Sequence, residues 1–131
     1  MTVPLRVLVT EDDDAVRGVI VRVLSDNGYE VVEARNMEEA VMAWRDRAPI
    51  HLLLTDFHMP GGTGRDLADA LWAHEPSLPV ICMSGYEEEI PDDVDSPIVV
   101  HLPKPFKTAS LLAHVTQLLS TMRRPLPPGV G

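Results

Sequence analysis

Leu52-Leu53-Leu54-Thr55-Asp56-Phe57-His58-Met59-Pro60-Gly61-Gly62 joins an unbroken apolar run to an aspartate, a Met-Pro step and two glycines. A run this short, bounded by turn residues, has the length of a strand. Its lack of polar alternation marks a strand covered on both faces, as in a parallel sheet. In open α/β sheets, ligands gather outside the carboxyl ends of the strands. Asp56 therefore stands at the edge where chemistry is expected, and it reads as a nucleophile that accepts a phosphoryl group.

The flanking sequence supplies the rest of such a sheet. Residues 5–10 form a valine-rich run that ends in Glu11-Asp12-Asp13-Asp14. Val16, Val19, Ile20, Val23 and Leu24 then recur at helical spacing, with the acids at the helix start, where its dipole favours negative charge, and Asn27-Gly28 as the stop. Residues 29–34 read as a second strand. Asn36 caps a second helix, with Glu39 three residues on as in a capping box; Met37, Ala40, Val41, Trp44 and Ala48 form its apolar face and Pro49 closes it. Residues 50–55 are the third strand. Thr63 caps a third helix buried through Leu67, Ala68 and Leu71, which His74-Glu75-Pro76 stops. Residues 80–83 form a fourth strand leading into Ser84-Gly85-Tyr86. The acidic segment 87–97, broken by prolines, has room for at most a turn or two of helix. Residues 98–102 form a fifth strand, Pro103-Lys104-Pro105-Phe106 a loop, and Leu111, Leu112, Val115, Leu118, Leu119 and Met122 the inner face of a last helix.

Strands alternating with helices imply a parallel sheet with helices on both faces. About five such units give a flavodoxin-like doubly wound α/β fold of strand order 2-1-3-4-5, here with a shortened fourth helix. That order makes strands one and three neighbours, which sets the acids after strand one beside Asp56. Ser84 and Lys104 end up on the same rim. One domain over residues 1–122 and a flexible tail over 123–131 are expected.

The composition narrows the function. The formal charge of -9 over 131 residues argues against direct nucleic-acid binding and suits carboxylates gathered around a cation. The single Cys82, inside an apolar run, cannot form an internal disulfide and reads as a buried reduced thiol of a cytoplasmic protein. No apolar run approaches membrane-spanning length, and the first residues lack the features of a signal peptide.

Taken singly, each polar residue of the rim has a bland explanation: an acidic first turn, a strand-end cap, a turn serine, a surface lysine. Together they fit one mechanism. Carboxylates that converge without partners repel, and a hard divalent cation such as Mg²⁺ resolves the repulsion. Phosphoryl transfer to Asp56 needs its spreading charge balanced, for which a lysine supplies a point charge and a serine a hydrogen bond.

These residues carry a resemblance. Val7-Leu8-Val9-Thr10-Glu11-Asp12-Asp13, Asp56-Phe57-His58-Met59-Pro60 with Gly64, Met83-Ser84-Gly85 and Lys104-Pro105-Phe106, in this order and at strand ends, resemble the response-regulator receiver domain of two-component signalling. The likeness runs from about residue 5 to 122 and is similar to receivers of hybrid sensor kinases and to single-domain response regulators. The resemblance implies that Asp56 is the phosphoacceptor and that Mg²⁺ is bound by Asp12, Asp56 and the backbone carbonyl of His58, with Glu11 helping through water. It implies that Ser84 bonds the phosphoryl oxygen, that Lys104 pairs with the phosphoryl group, and that the Lys104–Pro105 bond is cis. It further implies a histidine kinase or histidine phosphotransfer protein as phosphodonor and a downstream protein as target. The only catalysis implied is the domain's own phosphorylation and autodephosphorylation. The chain departs from the family in three places. Glu11 replaces the commoner aspartate, His101 stands where a switch tyrosine or phenylalanine is usual, and segment 87–97 is short where a full fourth helix is usual.

Two other classes compete with this reading. A haloacid-dehalogenase-like phosphatase also uses an aspartate after a buried strand, but needs an acid two residues on, where this chain has His58. A phosphorylation-independent binding module on the same fold is the alternative that needs none of the site's chemistry.

Overall fold

A computed structural model describes residues 4–47, 49–85 and 99–123 of the chain. Segment 87–97 with its expected short fourth helix, Tyr86, Ala48 and the tail from residue 124 lie outside the described residues. The elements run β1 (Arg6–Thr10), α1 (Asp14–Asp26), β2 (Glu30–Ala34), α2 (Met37–Asp46), β3 (Leu52–Asp56), β4 (His58–Met59), β5 (Gly62–Thr63), α3 (Gly64–Trp72), β6 (Val80–Ser84), β7 (Val99–Pro103) and α4 (Thr108–Arg123).

The five longer strands form one parallel sheet in the order β2-β1-β3-β6-β7. Counting only these strands, this is the expected 2-1-3-4-5 order. β4 and β5 form a separate antiparallel ribbon, His58 facing Thr63, where the sequence suggested only a loop. The strand ends differ from expectation by one or two residues. Asp56 and Ser84 are themselves the last residues of β3 and β6, so both candidate side chains leave from ladder positions.

Alternation along the strands sorts the core into two layers. Val7, Val9, Leu52, Leu54 and Ile81 pack with Ile20 and Leu24 of α1 and Leu111, Val115 and Leu119 of α4. Leu8, Leu53 and Val80 face the other way, onto Ala40 of α2 and Leu67 and Leu71 of α3. Leu52, Leu53 and Leu54 are all fully buried although they point alternately to opposite faces. Helices on both faces achieve this, and each such side chain contributes roughly 1.5–3 kcal/mol of burial.

The helix ends follow their local chemistry. Asp13 is the N-cap of α1, its carboxylate accepting from the N–H groups of Ala15 and Val16. At the other end Gly28 takes φ +88°, the left-handed turn that lets the Tyr29 N–H return to the Leu24 carbonyl. α3 has a complete capping box between Thr63 and Asp66. The box expected for α2 is only half formed. Asn36 accepts from the Glu39 N–H, but the Glu39 carboxylate reaches past it to the N–H and guanidinium of Arg35. An exposed arginine one residue upstream is the stronger partner, because it adds charge to the hydrogen bond.

Candidate functional site

The parallel register delivers the site. Thr10, the last residue of β1, is level with Thr55 on β3, so the chain beyond each strand emerges on one rim. On the next strand Asp56 is level with Met83, and Ser84 with Pro103 on β7. The acids after β1, Asp56 after β3, Ser84 after β6 and Lys104 after β7 therefore share one edge of the sheet.

Glu11 is the most enclosed of them, with only 1% of its surface exposed. Its N–H donates to the Ala34 carbonyl, tying it to β2, and its Oε1 accepts weakly from the Asp13 N–H at 3.3 Å. The Lys104 ammonium donates to Glu11 Oε2 at 3.0 Å and to Asp56 Oδ2 at 3.2 Å, so one cation bridges the two buried carboxylates. Burial pushes the Glu11 carboxyl above its ordinary range and the neighbouring Asp56 pushes the same way, with Lys104 opposing both. Burial acts to lower the Lys104 ammonium, but its bond to Glu11 and the charge of Asp56 outweigh it and raise the group. The lysine is therefore held charged.

Asp12 projects from the same loop and is exposed. One carboxylate oxygen each from Glu11, Asp12 and Asp56 lie within 4.8 Å of one another. Three hard oxygen donors at that spacing fit Mg²⁺ better than a softer transition metal. Backbone geometry positions the loop beneath. Gly64 N–H donates to the Phe57 carbonyl at 2.6 Å, and Phe57 N–H to the Met83 carbonyl at 2.7 Å. A Cβ on Gly64 would sit 2.5 Å from the Asp56 carbonyl oxygen, so only glycine lets α3 start this close to the aspartate.

The structure thus brings together Glu11, Asp12, Asp56 and Lys104. Ser84 is buried on the same rim and tied in through its backbone, its carbonyl accepting from the Lys104 N–H at 2.6 Å. The Lys104–Pro105 bond is cis, as the resemblance implied. His58 follows on β4, its side chain exposed and its ring edge-on to Phe57. Asp13 and Asp14 serve α1 instead of enlarging the acidic pocket: Asp13 caps it, and Asp14 pairs with Arg17. His101 is exposed on the edge strand β7. Arg17 went unnoticed in the sequence, although its spacing from Asp14 on one helix face was the available signal. It donates to the Glu11 carbonyl at 2.9 Å.

Comparison with known proteins agrees with this geometry. Residues 7–116 match the family described as the response regulator receiver domain. The chain is 31% identical over 129 residues to the phosphate regulon transcriptional regulatory protein PhoB of Klebsiella pneumoniae, covering 95% of this chain and 55% of that protein. It thus spans about half the length of the curated relatives it matches. Among solved structures, the receiver domain of the hybrid histidine kinase CckA is similar with a TM-score of 0.74 and 39% identity, covering 87% of this chain and 98% of that one. A response regulator receiver protein of Pseudomonas putida is similar with a TM-score of 0.78 and 29% identity, over 89% and 99% of the two chains. With the sheet order, the carboxylate cluster and the lysine bridge in place, the chain belongs to the response regulator receiver domain family.

Proposed function

We propose that this receiver domain takes a phosphoryl group onto Asp56 from a phosphohistidine on a histidine kinase or histidine phosphotransfer protein, in the cytoplasm and with Mg²⁺ present. The observation that carries the proposal is the Lys104 ammonium bridging Glu11 and Asp56 beside the exposed Asp12. An Asp56 carboxylate oxygen attacks phosphorus; the O–P bond forms as the P–N bond to the donor imidazole breaks, and the electron pair leaves on that nitrogen. Lys104, already charged and within reach of Asp56, pairs with the incoming phosphoryl oxygens. The Ser84 hydroxyl at the end of β6 hydrogen-bonds the transferred group. Asp12, Asp56 and the His58 carbonyl, with Glu11 helping through water, are the groups proposed to hold Mg²⁺, which would balance negative charge on the phosphoryl oxygens. Return to the resting state is attack of water on phosphorus, with the O–P bond breaking to restore the carboxylate. In this reading His58, exposed two residues beyond Asp56, gates that water.

The donor docks beside the site. Val16 and the half-exposed Val19 on α1, with Pro105 and Phe106 after β7, line an apolar groove of about 490 Å³ next to Lys104. A helix from a phosphotransfer protein fits such a groove. Phosphorylation then alters docking of a downstream protein.

Incubating the protein with a small phosphodonor such as acetyl phosphate and Mg²⁺, then measuring intact mass, tests the reading. One phosphoryl mass is expected in the parent and none in Asp56→Asn with the fold intact. A parent that gains no such mass would favour a phosphorylation-independent binding module. An Asn variant that still gains it would displace Asp56 as the acceptor.

A further inference from the structure

Arg17 joins three acceptors from three places, one backbone carbonyl and two carboxylates. Its Nη1 donates to the Glu11 backbone carbonyl at 2.9 Å, its Nη2 to Asp14 Oδ1 at 2.6 Å and its Nε to Glu33 Oε1 at 3.1 Å. The exposures set it apart from a surface ion pair. The arginine side chain is 12% exposed, whereas those of Asp14 and Glu33 are 82% and 52% exposed. The arginine is the least exposed member of the group, bonded to a carbonyl of the loop that follows β1, and the two carboxylates that pair with it are exposed.

The carbonyl it holds matters because of covalent geometry. The Glu11 carbonyl and the Asp12 N–H belong to one rigid peptide plane. Pinning that carbonyl sets the direction in which the exposed Asp12 side chain leaves the loop. The Glu11 N–H to the Ala34 carbonyl and the Asp13 N–H to Glu11 Oε1 secure the positions on either side. Among the described residues, the Arg17 bond is the one that acts on the Glu11–Asp12 plane from the α1 side. Asp14 and Glu33 also neutralise the guanidinium, so that its charge does not oppose a cation a few residues away.

We propose that Arg17 is a positioning residue for the cation site, orienting Asp12 through the Glu11–Asp12 peptide plane while Asp14 and Glu33 hold its charge in balance. The proposal rests on the reading of Glu11, Asp12 and Asp56 as a Mg²⁺ site. Its sign separates it from simple electrostatics. Deleting a nearby positive charge should tighten Mg²⁺ binding, whereas loss of the positioning bond should weaken it.

The test is a titration of the metal-free full chain with Mg²⁺ alone, read as the rise in melting temperature and as the change of backbone amide resonances around Asp12. Arg17→Ala should weaken Mg²⁺ by about 10- to 100-fold, the range found when groups that orient metal ligands are removed. Arg17→Lys should recover only part of this loss, because one ammonium cannot replace a planar fork that serves three acceptors. Because it keeps the charge and most of the stem, it also serves if the alanine variant does not fold. Unchanged or tighter Mg²⁺ binding in a folded Arg17 variant would overturn the proposal. A parent protein indifferent to Mg²⁺ would overturn the metal-site reading and this inference with it, whereas a parent that binds Mg²⁺ with an Arg17 variant that binds it equally well would overturn this inference alone.

Discussion

At the scale of single residues, the site depends on one cation and one missing side chain. Lys104 neutralises two carboxylates that the fold forces together, both of them buried. Lys104→Ala should destabilise the metal-free domain by about 2 kcal/mol, the order of a lost hydrogen bond to a charged group. Saturating Mg²⁺ should shrink that deficit, since a bound cation takes over the neutralisation. Urea melts with and without Mg²⁺ check this, and an equal deficit in both would contradict it. Gly64 shows the opposite sensitivity. An added methyl meets the Asp56 carbonyl at 2.5 Å and the Thr55 methyl at 3.0 Å, neither of which is the end of a flexible side chain. Gly64→Ala should therefore cost about 1–3 kcal/mol, as overpacking does, and should lower phosphodonor labelling by moving the Asp56 backbone. Labelling at the parent rate would show that the loop absorbs the methyl elsewhere.

At the scale of elements, β1 and β3 are joined at their beginnings by a titratable pair. The Arg6 N–H donates to His51 Nδ1 at 2.9 Å, and the His51 N–H donates to the Arg6 carbonyl at 2.8 Å. Burial, and then the charge of Arg6, lower the His51 imidazole below its ordinary value of 6.5. A histidine with a depressed folded pKa takes up its proton in the unfolded chain first. Its stabilising contribution is therefore complete above about pH 6.5 and is lost as pH falls through the lower folded value. Glu11, whose pKa is raised, has the opposite sign: its contribution is present at low pH and fades as pH rises through its folded value. Comparing the parent with His51→Gln isolates the histidine. The difference in unfolding free energy should change as pH falls below about 6.5 and be flat above 7; a flat difference throughout would show that His51 is not linked to folding.

At the scale of the whole molecule, the sheet assembles mutually repelling carboxylates that only a cation makes comfortable. Binding of Mg²⁺ to the native state alone should raise the melting temperature, with about 2.7 kcal/mol gained at a hundredfold excess over the dissociation constant. Asp12→Ala should remove most of that gain while leaving metal-free stability close to the parent's, because Asp12 is exposed. Calorimetry across a Mg²⁺ series checks it; a parent melting temperature that ignores millimolar Mg²⁺ would count against the site.

The sequence by itself determined the fold class, because three consecutive apolar leucines, helical spacing after four of the five strands and glycine or proline stops leave few alternatives to a doubly wound sheet. It also singled out the candidate site, since Glu11, Asp12, Asp56, Ser84 and Lys104 each stand at or just after a strand end. Packing decided what spacing along the chain cannot encode. Lys104 lies 93 residues from Glu11, yet donates to it across the rim of the sheet. Asp13 and Asp14 are kept out of the pocket by local contacts of α1, Asp13 as its cap and Asp14 as the i,i+3 partner of Arg17, which the spacing along the chain already allowed. The enclosure of Arg17 could not be foreseen. A long charged side chain is solvated by default, and only its contact with Glu11 and Glu33, from elements that meet it in space, turns it inward.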